Sequence, residues 1–247
     1  MISDIEMNRK AIQLRSQFHI PENGPVDIFS QLSIIDNMTV VFRPFSNQVS
    51  GMCSKKANNY FIIINSTSSY GRQRFTAAHE MYHLFYENDN TFVCSLNVND
   101  NSSESEKNAD NFASYYLAPY DTFMDYIEKI GCEKNKAISF QQTIKIGQYF
   151  QMSQRAVEVR LKKLGFSFCF KQGQNKVSKT ALEIGYPIDL YLPSKSEFFT
   201  YGQYIRTAEK TYEIDAVSSQ KYESYLMDAY RPDIVYGMTS EMADLYD

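Results

Sequence analysis

The chain of 247 residues has no tryptophan, only three histidines, and only four cysteines, at Cys53, Cys94, Cys132 and Cys169. These cysteines are widely spaced and form no C-x-x-C pair, which favours free buried thiols in a reducing compartment over disulfides or a zinc knuckle. There is also no excess of positive charge, since the formal net charge is −4. That balance argues against a dedicated nucleic-acid-binding protein, although it leaves room for a local basic patch.

Long apolar runs are missing as well. The longest useful run, Tyr60 to Ile64, is far too short to span a membrane, and the N-terminus lacks the apolar core of a secretion signal. We therefore expect a cytoplasmic protein with no membrane partner.

The 19 tyrosines and 17 phenylalanines, within a hydrophobic share of 43%, are sufficient for a sizeable core. A chain of this length forms one large domain or a catalytic domain with a small appendage.

Two of the three histidines belong to one pattern, H-E-x-x-H, formed by His79, Glu80 and His83. Residues i and i+4 lie on one face of a helix, so both imidazoles can bind a single metal ion. Glu80 projects next to that face, where it can take a proton from a metal-bound water. The segment from Arg72 to Tyr86 contains no Gly or Pro, which predicts the required helix. His19, the third histidine, has no partner at a matching spacing, and we expect it at the surface.

A catalytic zinc site takes a third protein ligand and leaves one position for water. We expect this ligand to be Glu106, which forms E-x-x-x-D with Asp110 on a second predicted helix. Ala109 and Ala113 continue that face with small side chains, so the two helices can approach closely. Asp110 can then accept the free ring N–H of a zinc-bound histidine. Glu104 is a rival ligand, but it lacks the downstream Ala/Asp/Ala face.

The two segments resemble the ImmA/IrrE family of metallopeptidases, which has H-E-x-x-H on the active helix and a glutamate zinc ligand on the next helix. They read R-Q-R-F-T-A-A-H-E-M-Y-H-L-F and E-K-N-A-D-N-F-A-S-Y-Y-L-A-P. Residues 153–166 resemble the family's helix-turn-helix-like segment, and residues 221–237 resemble a frequent C-terminal signature. The resemblance runs from about Pro25 to Gly237. One departure is Tyr82, where members often have Gly and where a phenol would narrow the site.

The resemblance implies an α+β fold, with a zincin-like catalytic domain made of a small sheet plus active-site helices. Helix-turn-helix-like and C-terminal appendages follow it. We predict the catalytic domain at residues 1–135, the helix-turn-helix-like segment at 136–172 and a C-terminal subdomain at 173–247. The sequence gives no independent chemistry for the last of these.

The resemblance also implies a zinc-dependent endopeptidase, with Zn²⁺ held by His79, His83 and Glu106. The implied substrate is a cytoplasmic helix-turn-helix repressor, cut at a specific site to relieve repression during stress or mobile-element induction. The alternative is a DNA-binding or repressor-binding regulator that keeps the zincin fold without turnover. The intact Glu80 argues against that alternative, because a degenerate site does not need the base.

The most basic part of the chain is the segment from 138 to 166, which includes Arg155, Arg160, Lys162 and Lys163. It predicts either a helix-turn-helix that reads DNA or a helical pair that packs on the catalytic domain with solvated lysines. The acidic overall balance favours the packed pair, as does Glu158 on a helix that we expect to be exposed. DNA binding is therefore not favoured.

Strand Asn59 to Asn65, just before the active helix, has two interpretations. It is either an edge strand that pairs with extended substrate backbone or a central strand of the core.

Residues 87–105 predict a polar loop or short hairpin that borders the site, and Arg231 to Gly237 predict a strand-like tail. A phenol among Tyr115, Tyr116 and Tyr120 could donate to an oxyanion, but core packing is favoured for each of them.

Overall fold

The computed structural model describes residues 2–46, 49–87, 91–95, 103–171, 176–193 and 198–237. Within these ranges the strands are β1 (Met38–Arg43), β2 (Val49–Lys56), β3 (Asn59–Asn65), β4 (Thr91–Ser95) and β5 (Phe199–Gly202). The helices are α1 (Asp4–Gln17), α2 (Ile28–Ile34), α3 (Tyr70–Tyr86), α4 (Glu104–Leu117), α5 (Tyr120–Lys129), α6 (Phe140–Phe150), α7 (Gln154–Lys163), α8 (Val177–Glu183), α9 (Gln203–Glu213), α10 (Ser219–Asp228) and α11 (Pro232–Tyr236). This mixture confirms the predicted α+β class.

The five strands form one sheet in the order β4-β2-β3-β1-β5. Strands β1 and β3 run parallel, and every other neighbouring pair is antiparallel. β3 has the predicted bounds but lies in the middle of the sheet, so its interpretation as an edge strand is wrong. Its side chains Ile62 and Ile64 are fully buried. The apolar run of β3 therefore reflects burial in a central strand, and β4 is the edge strand on this side of the sheet.

Helix α3 packs against β2 and β3, and helix α4 packs beside α3. The residues of α3 that form this core include Ala77, Ala78 and Met81, all fully buried. On α4, Ala109 and Ala113 are also fully buried, as expected for two helices in close contact. The small side chains thus position the two predicted site helices side by side.

The N-terminal half of α3 is held against the turn between α6 and α7. Arg74 is buried and donates from Nε to the carbonyl of Gln151, at 3.1 Å, and from its guanidinium to the carbonyl of Val26. Gly71 approaches the same turn so closely that an added Cβ would lie 3.0 Å from the backbone nitrogen of Ser153. The helix-turn-helix-like segment is therefore packed directly on the active helix.

Helix α7 begins after Ser153, whose side chain accepts a hydrogen bond from the backbone N–H of Ala156. Two of its charged residues do not have the predicted surroundings. Arg160 is buried, with its guanidinium 3.8 Å from the ring centre of Tyr115, and burial lowers its pKa to about 10. Glu158 is also buried and accepts a hydrogen bond from Gln154. The expectation that Glu158 lies on an exposed face is wrong, because that face of α7 turns inward.

The predicted C-terminal subdomain contributes to the main sheet, since β5 pairs antiparallel with β1. Beyond β5, helices α9, α10 and α11 pack around a small apolar cluster that includes Ile205, Leu226 and Ala229. The prediction of a strand-like tail at the end of this region is wrong. Pro232 begins α11 and Gly237 ends it in a left-handed conformation, the pattern typical of a short helix. The predicted divisions after residues 135 and 172 stay predictions.

The cysteines partly follow the prediction of buried thiols. Cys53 and Cys132 are buried, and burial raises the pKa of the Cys132 thiol to about 11. Cys169 is exposed, contrary to that prediction, while the side chain of Cys94 lies outside the described residues. In the described part of the chain, each helix is too short or too polar to cross a lipid bilayer.

The buried position of Arg160 gives a stability prediction. Arg160→Ala removes the contact with the Tyr115 ring and the hydrogen bond to Ser114 Oγ, which is 2.9 Å long. We expect the free energy of unfolding to fall by roughly 2–4 kcal/mol. Lys162→Ala, an exposed change on the same helix, should alter it by less than about 0.5 kcal/mol. Urea unfolding of both variants measures the difference, and equal stabilities would contradict the packing role.

Candidate active site

The two histidines of H-E-x-x-H and Glu106 meet between α3 and α4. The Nε2 atoms of His79 and His83 lie 3.2 Å apart. The Glu106 carboxylate oxygens lie 3.4 Å from His79 Nε2 and 3.6 Å from His83 Nε2. Both histidines are buried, and Glu106 is about one-third exposed. The rival Glu104 is exposed and lies outside this cluster.

Each imidazole is oriented by a second carboxylate at its other nitrogen. His79 Nδ1 lies 2.9 Å from Asp110 Oδ1, the contact expected from the E-x-x-x-D pattern. His83 Nδ1 lies 2.7 Å from Glu87 Oε2, and Ser105 Oγ donates to the other oxygen of Glu87 at 2.6 Å. With both Nδ1–H groups donating to carboxylates, the Nε2 lone pairs point into the cluster.

Glu87 was missed by the sequence analysis, which assigned it to a polar loop. Its signal was available, because Glu87 follows His83 by four residues and the i, i+4 rule predicts such a pair at the end of a helix. Residues 87–105 were predicted to form a polar loop or a short hairpin, and the structure has one strand there, β4, which pairs with β2. The other residues of that loop, 88–90 and 96–102, lie outside the described part of the chain.

The spacing of these atoms suits a metal ion. Two nitrogen lone pairs and a carboxylate repel one another at such distances unless a proton or a cation lies between them. Zinc binds histidine and carboxylate ligands at about 2.0–2.2 Å in a tetrahedral arrangement, which places ligand atoms roughly 3.4 Å apart. The observed separations of 3.2, 3.4 and 3.6 Å fit that arrangement. The cluster is therefore compatible with a metal site.

Glu80 is fully buried and lies on the face of α3 that contacts β2. Gly51 of β2 allows this close approach. A Cβ added to Gly51 would lie 2.5 Å from Thr76 Cγ2, 2.9 Å from the carbonyl oxygen of Ile63 and 3.1 Å from Glu80 Oε1. The absence of a side chain at Gly51 thus leaves room for the Glu80 carboxylate. Sequence reasoning missed the role of Gly51. Its only signal was a glycine inside a strand, which often marks a close backbone contact.

Comparison with known families agrees with this geometry. The family model of the M78 peptidases, described as the IrrE N-terminal-like domain, matches residues 35–162, more than half of the chain. The chain belongs to the M78 peptidase family. This match confirms the ImmA/IrrE resemblance and the zincin-like fold, and it supports a peptidase-like domain. No individual protein of curated function matches the chain.

The M78 domain has a cleft of about 180 Å³ beside the histidine cluster. Helices α3, α4 and α7 supply most of its walls, and Ser50 of β2 completes it. His79 and Glu106 lie at the cleft, so the candidate metal site is open to a ligand. Tyr115 and Val159 give the walls an apolar part. The helix-turn-helix-like segment therefore borders the site through α7.

Two predictions concerned tyrosines at this M78 site: that Tyr82 would narrow it, and that a phenol near α4 could donate to an oxyanion. Tyr82 does not narrow the cleft, because its ring packs against Tyr86 and Phe112 in the aromatic core. Of the three tyrosines considered for an oxyanion, Tyr115 lines the cleft, Tyr116 is fully buried in the core and Tyr120 is exposed. Burial raises the pKa of Tyr115, so its phenol stays protonated at neutral pH.

The contact between Gly51 and α3 gives a second prediction. Gly51→Ala should force β2 and α3 apart, lowering the free energy of unfolding by roughly 1–3 kcal/mol and displacing the Glu80 carboxylate. Thr76→Ser removes the Cγ2 atom that lies 2.5 Å from the added Cβ. The double variant should therefore recover part of the lost stability. Thermal unfolding of the four proteins tests this, and a fully stable single variant would contradict it.

Proposed function

We propose that this M78 protein is a zinc-dependent endopeptidase. The observation that carries the proposal is the convergence of His79 Nε2, His83 Nε2 and a Glu106 oxygen at distances typical of tetrahedral zinc ligands. A further carboxylate, that of Glu80, lies on the same helix without belonging to this set. Three ligands with a separate base correspond to a hydrolytic zinc site, whereas a structural zinc site takes four protein ligands.

Zinc, when bound, would polarise a peptide carbonyl and acidify a water molecule. The residues of the chain supply the other parts of the mechanism. Glu80 accepts a proton from the attacking water and passes it to the leaving amine. Asp110 and Glu87 hold the two imidazoles in one tautomer and one orientation. The burial of both histidines reduces competition from bulk water.

For the substrate we propose a cytoplasmic helix-turn-helix repressor, cut at one site to relieve repression. This part rests on the ImmA/IrrE resemblance alone. The rival function is a regulator that binds DNA or a repressor without turnover, and its DNA-binding form needs exposed cations on α7. The burial of Arg160 and the contacts of Lys163 with Asp4 and Asn111 leave fewer of them than the sequence suggested. The packing of α7 thus counts against the DNA-binding form of the regulator, and the intact Glu80 counts against the form that binds a repressor without turnover.

Metal content tests the ligand assignment. Purified protein should hold about one zinc per chain, and His79→Ala or His83→Ala should abolish stoichiometric binding. Glu106→Gln should lose zinc, while Glu104→Gln, a matched change two residues away, should keep it. Asp110→Asn and Glu87→Gln should each weaken zinc affinity by about 10- to 100-fold. Elemental analysis and competition with a chelating dye measure these effects. Full occupancy in both histidine variants would refute the assignment.

A Glu80→Gln variant separates the enzyme from the binder. The change keeps the size of the side chain and removes its basicity, so zinc content and fold should be unchanged. Loss of a general base costs about a factor of 100 to 10,000 in rate. Cleavage of a cognate helix-turn-helix repressor should fall by at least the lower value, while binding of the repressor persists. Both are measured on zinc-replete samples, by gel proteolysis and by pull-down.

Wild-type cleavage rates in zinc-replete Glu80→Gln protein would refute the proposed base. Repressor binding without cleavage by the wild-type protein would favour the regulator instead.

A further inference from the structure

Helix α4 positions two of the three candidate metal ligands directly. Glu106 lies in its first turn, and Asp110, one turn later, contacts Nδ1 of His79 at 2.9 Å. The third ligand, His83, is oriented by a carboxylate that does not belong to α4, that of Glu87. The contacts that hold the Glu87 carboxylate therefore decide how firmly His83 is oriented.

The backbone places Glu87 less firmly than it places Asp110. Glu87 is the C-terminal cap of α3, where the chain leaves the helix in an extended conformation with φ −120° and ψ 158°. Asp110, in contrast, has residues of α4 on both sides. A helix C-terminus also carries partial negative charge, which disfavours a carboxylate there. Glu87 therefore needs a contact from outside α3 to keep its carboxylate against His83.

Ser105 supplies that contact. Its Oγ donates to Glu87 Oε1 at 2.6 Å, while Oε2 of the same carboxylate lies 2.7 Å from His83 Nδ1. The carboxylate thus bridges a hydroxyl and an imidazole, and both of its oxygens are engaged. The side chain of Glu87 is only 18% exposed and that of His83 is fully buried, so water competes little for either contact. Hydrogen bonds to an ionised group are also stronger than those between neutral groups.

The first turn of α4, to which Ser105 belongs, is itself well defined. Ser103 caps the helix by accepting a hydrogen bond from the backbone N–H of Glu106 at 3.2 Å. Helix N-termini carry partial positive charge, so this turn favours the Glu87 carboxylate that the end of α3 disfavours. Ser105 directly precedes Glu106 in the chain. The turn that presents one candidate ligand therefore also holds the group that orients another.

We propose that Ser105 is a positioning residue of the metal site, which acts through Glu87 and couples the orientation of His83 to the placement of Glu106. The inference rests on the zinc site of the proposed endopeptidase, but it concerns how the metal is held and not the cleavage of a peptide. Without the Ser105 hydroxyl, the Glu87 carboxylate can turn away and His83 is no longer held in one orientation.

A purely structural role is the alternative. The hydrogen bond joins residues that are 18 apart in the sequence, and it connects the end of α3 to the start of α4. A structural role would lower the free energy of unfolding and leave the zinc affinity of the folded protein unchanged. A positioning role lowers the zinc affinity of the folded protein, and does so only while Glu87 is present.

Zinc affinity separates the two roles. Full-length protein competes with a chelating dye for zinc, at a temperature at which circular dichroism shows that the metal-free form of each variant is folded. Ser105→Ala should weaken zinc binding by about three- to tenfold. Ser105→Thr keeps a hydroxyl and should bind zinc within about twofold of the wild-type affinity.

Ser114→Ala is the matched control. It is the same chemical change further along α4, and it removes the hydrogen bond that Arg160 donates to Ser114 Oγ. This variant should be less stable than the wild type, while its zinc affinity should stay within about twofold of the wild-type value, because Ser114 does not contact Glu87.

A double-mutant cycle tests whether Ser105 acts through Glu87. Glu87→Ala removes the carboxylate, so the Ser105 hydroxyl has nothing left to position. The double variant Ser105→Ala/Glu87→Ala should therefore bind zinc within about twofold of Glu87→Ala alone. Independent effects would instead multiply, and the double variant would then bind zinc a further threefold to tenfold, roughly, more weakly.

Wild-type zinc affinity in Ser105→Ala would overturn the proposal, as would an equal loss of affinity in Ser105→Ala and Ser114→Ala. Independent effects in the cycle would also overturn it, because Ser105 would then not act through Glu87. If the wild-type protein binds zinc with these differences but cleaves no repressor, the proposed endopeptidase fails and the positioning role stands. If the wild-type protein binds no zinc, the proposed metal site is wrong and this inference is overturned with it.

Discussion

The candidate site depends on the orientation of two buried imidazoles. In each ring a carboxylate contacts Nδ1 and fixes the orientation, so that Nε2 can bind a ligand. His79 is held by Asp110 and His83 by Glu87, at 2.9 and 2.7 Å. A histidine that rotated freely would lose metal affinity, and one held without a free Nε2 could not bind metal at all. The site therefore requires α4 at a fixed distance from α3, because α4 contributes both Glu106 and Asp110.

That requirement explains much of the surrounding packing. Alanines line the contact between α3 and α4, so the helices approach closely enough for Glu106 to reach both imidazoles. On the other side of α3, the missing side chain of Gly51 leaves room for the Glu80 carboxylate against β2. The N-terminal half of α3 is held by Arg74 and Gly71 against the α6–α7 turn. Each side of the active helix is thus held by a different close contact. These contacts are made by small residues or by a buried arginine.

The parts of the site that follow local rules could be predicted from the sequence. H-E-x-x-H and E-x-x-x-D depend on helical spacing alone, and the bounds of β3 and α4 follow from residue preferences. The parts that depend on distant contacts could not. Nothing in the sequence of β3 shows that β1 and β2 flank it, since a central strand and a covered edge strand have the same composition. Gly51 was missed for the same reason, because its importance comes from an atom of α3.

Helix α7 shows why a count of basic residues is a weak guide to function. Its four cations lie within nine residues, yet each has a different environment. Arg160 is buried against Tyr115, Lys163 pairs with Asp4, Arg155 faces the cleft and Lys162 is exposed to solvent. Successive residues of a helix differ by about 100° in direction, so neighbours in sequence meet different surroundings. Once α7 packs on the catalytic helices, a stripe of cations long enough to follow a DNA backbone no longer exists on its exposed face. Three of these four cations, Arg155, Arg160 and Lys163, line the cleft beside the histidine cluster instead.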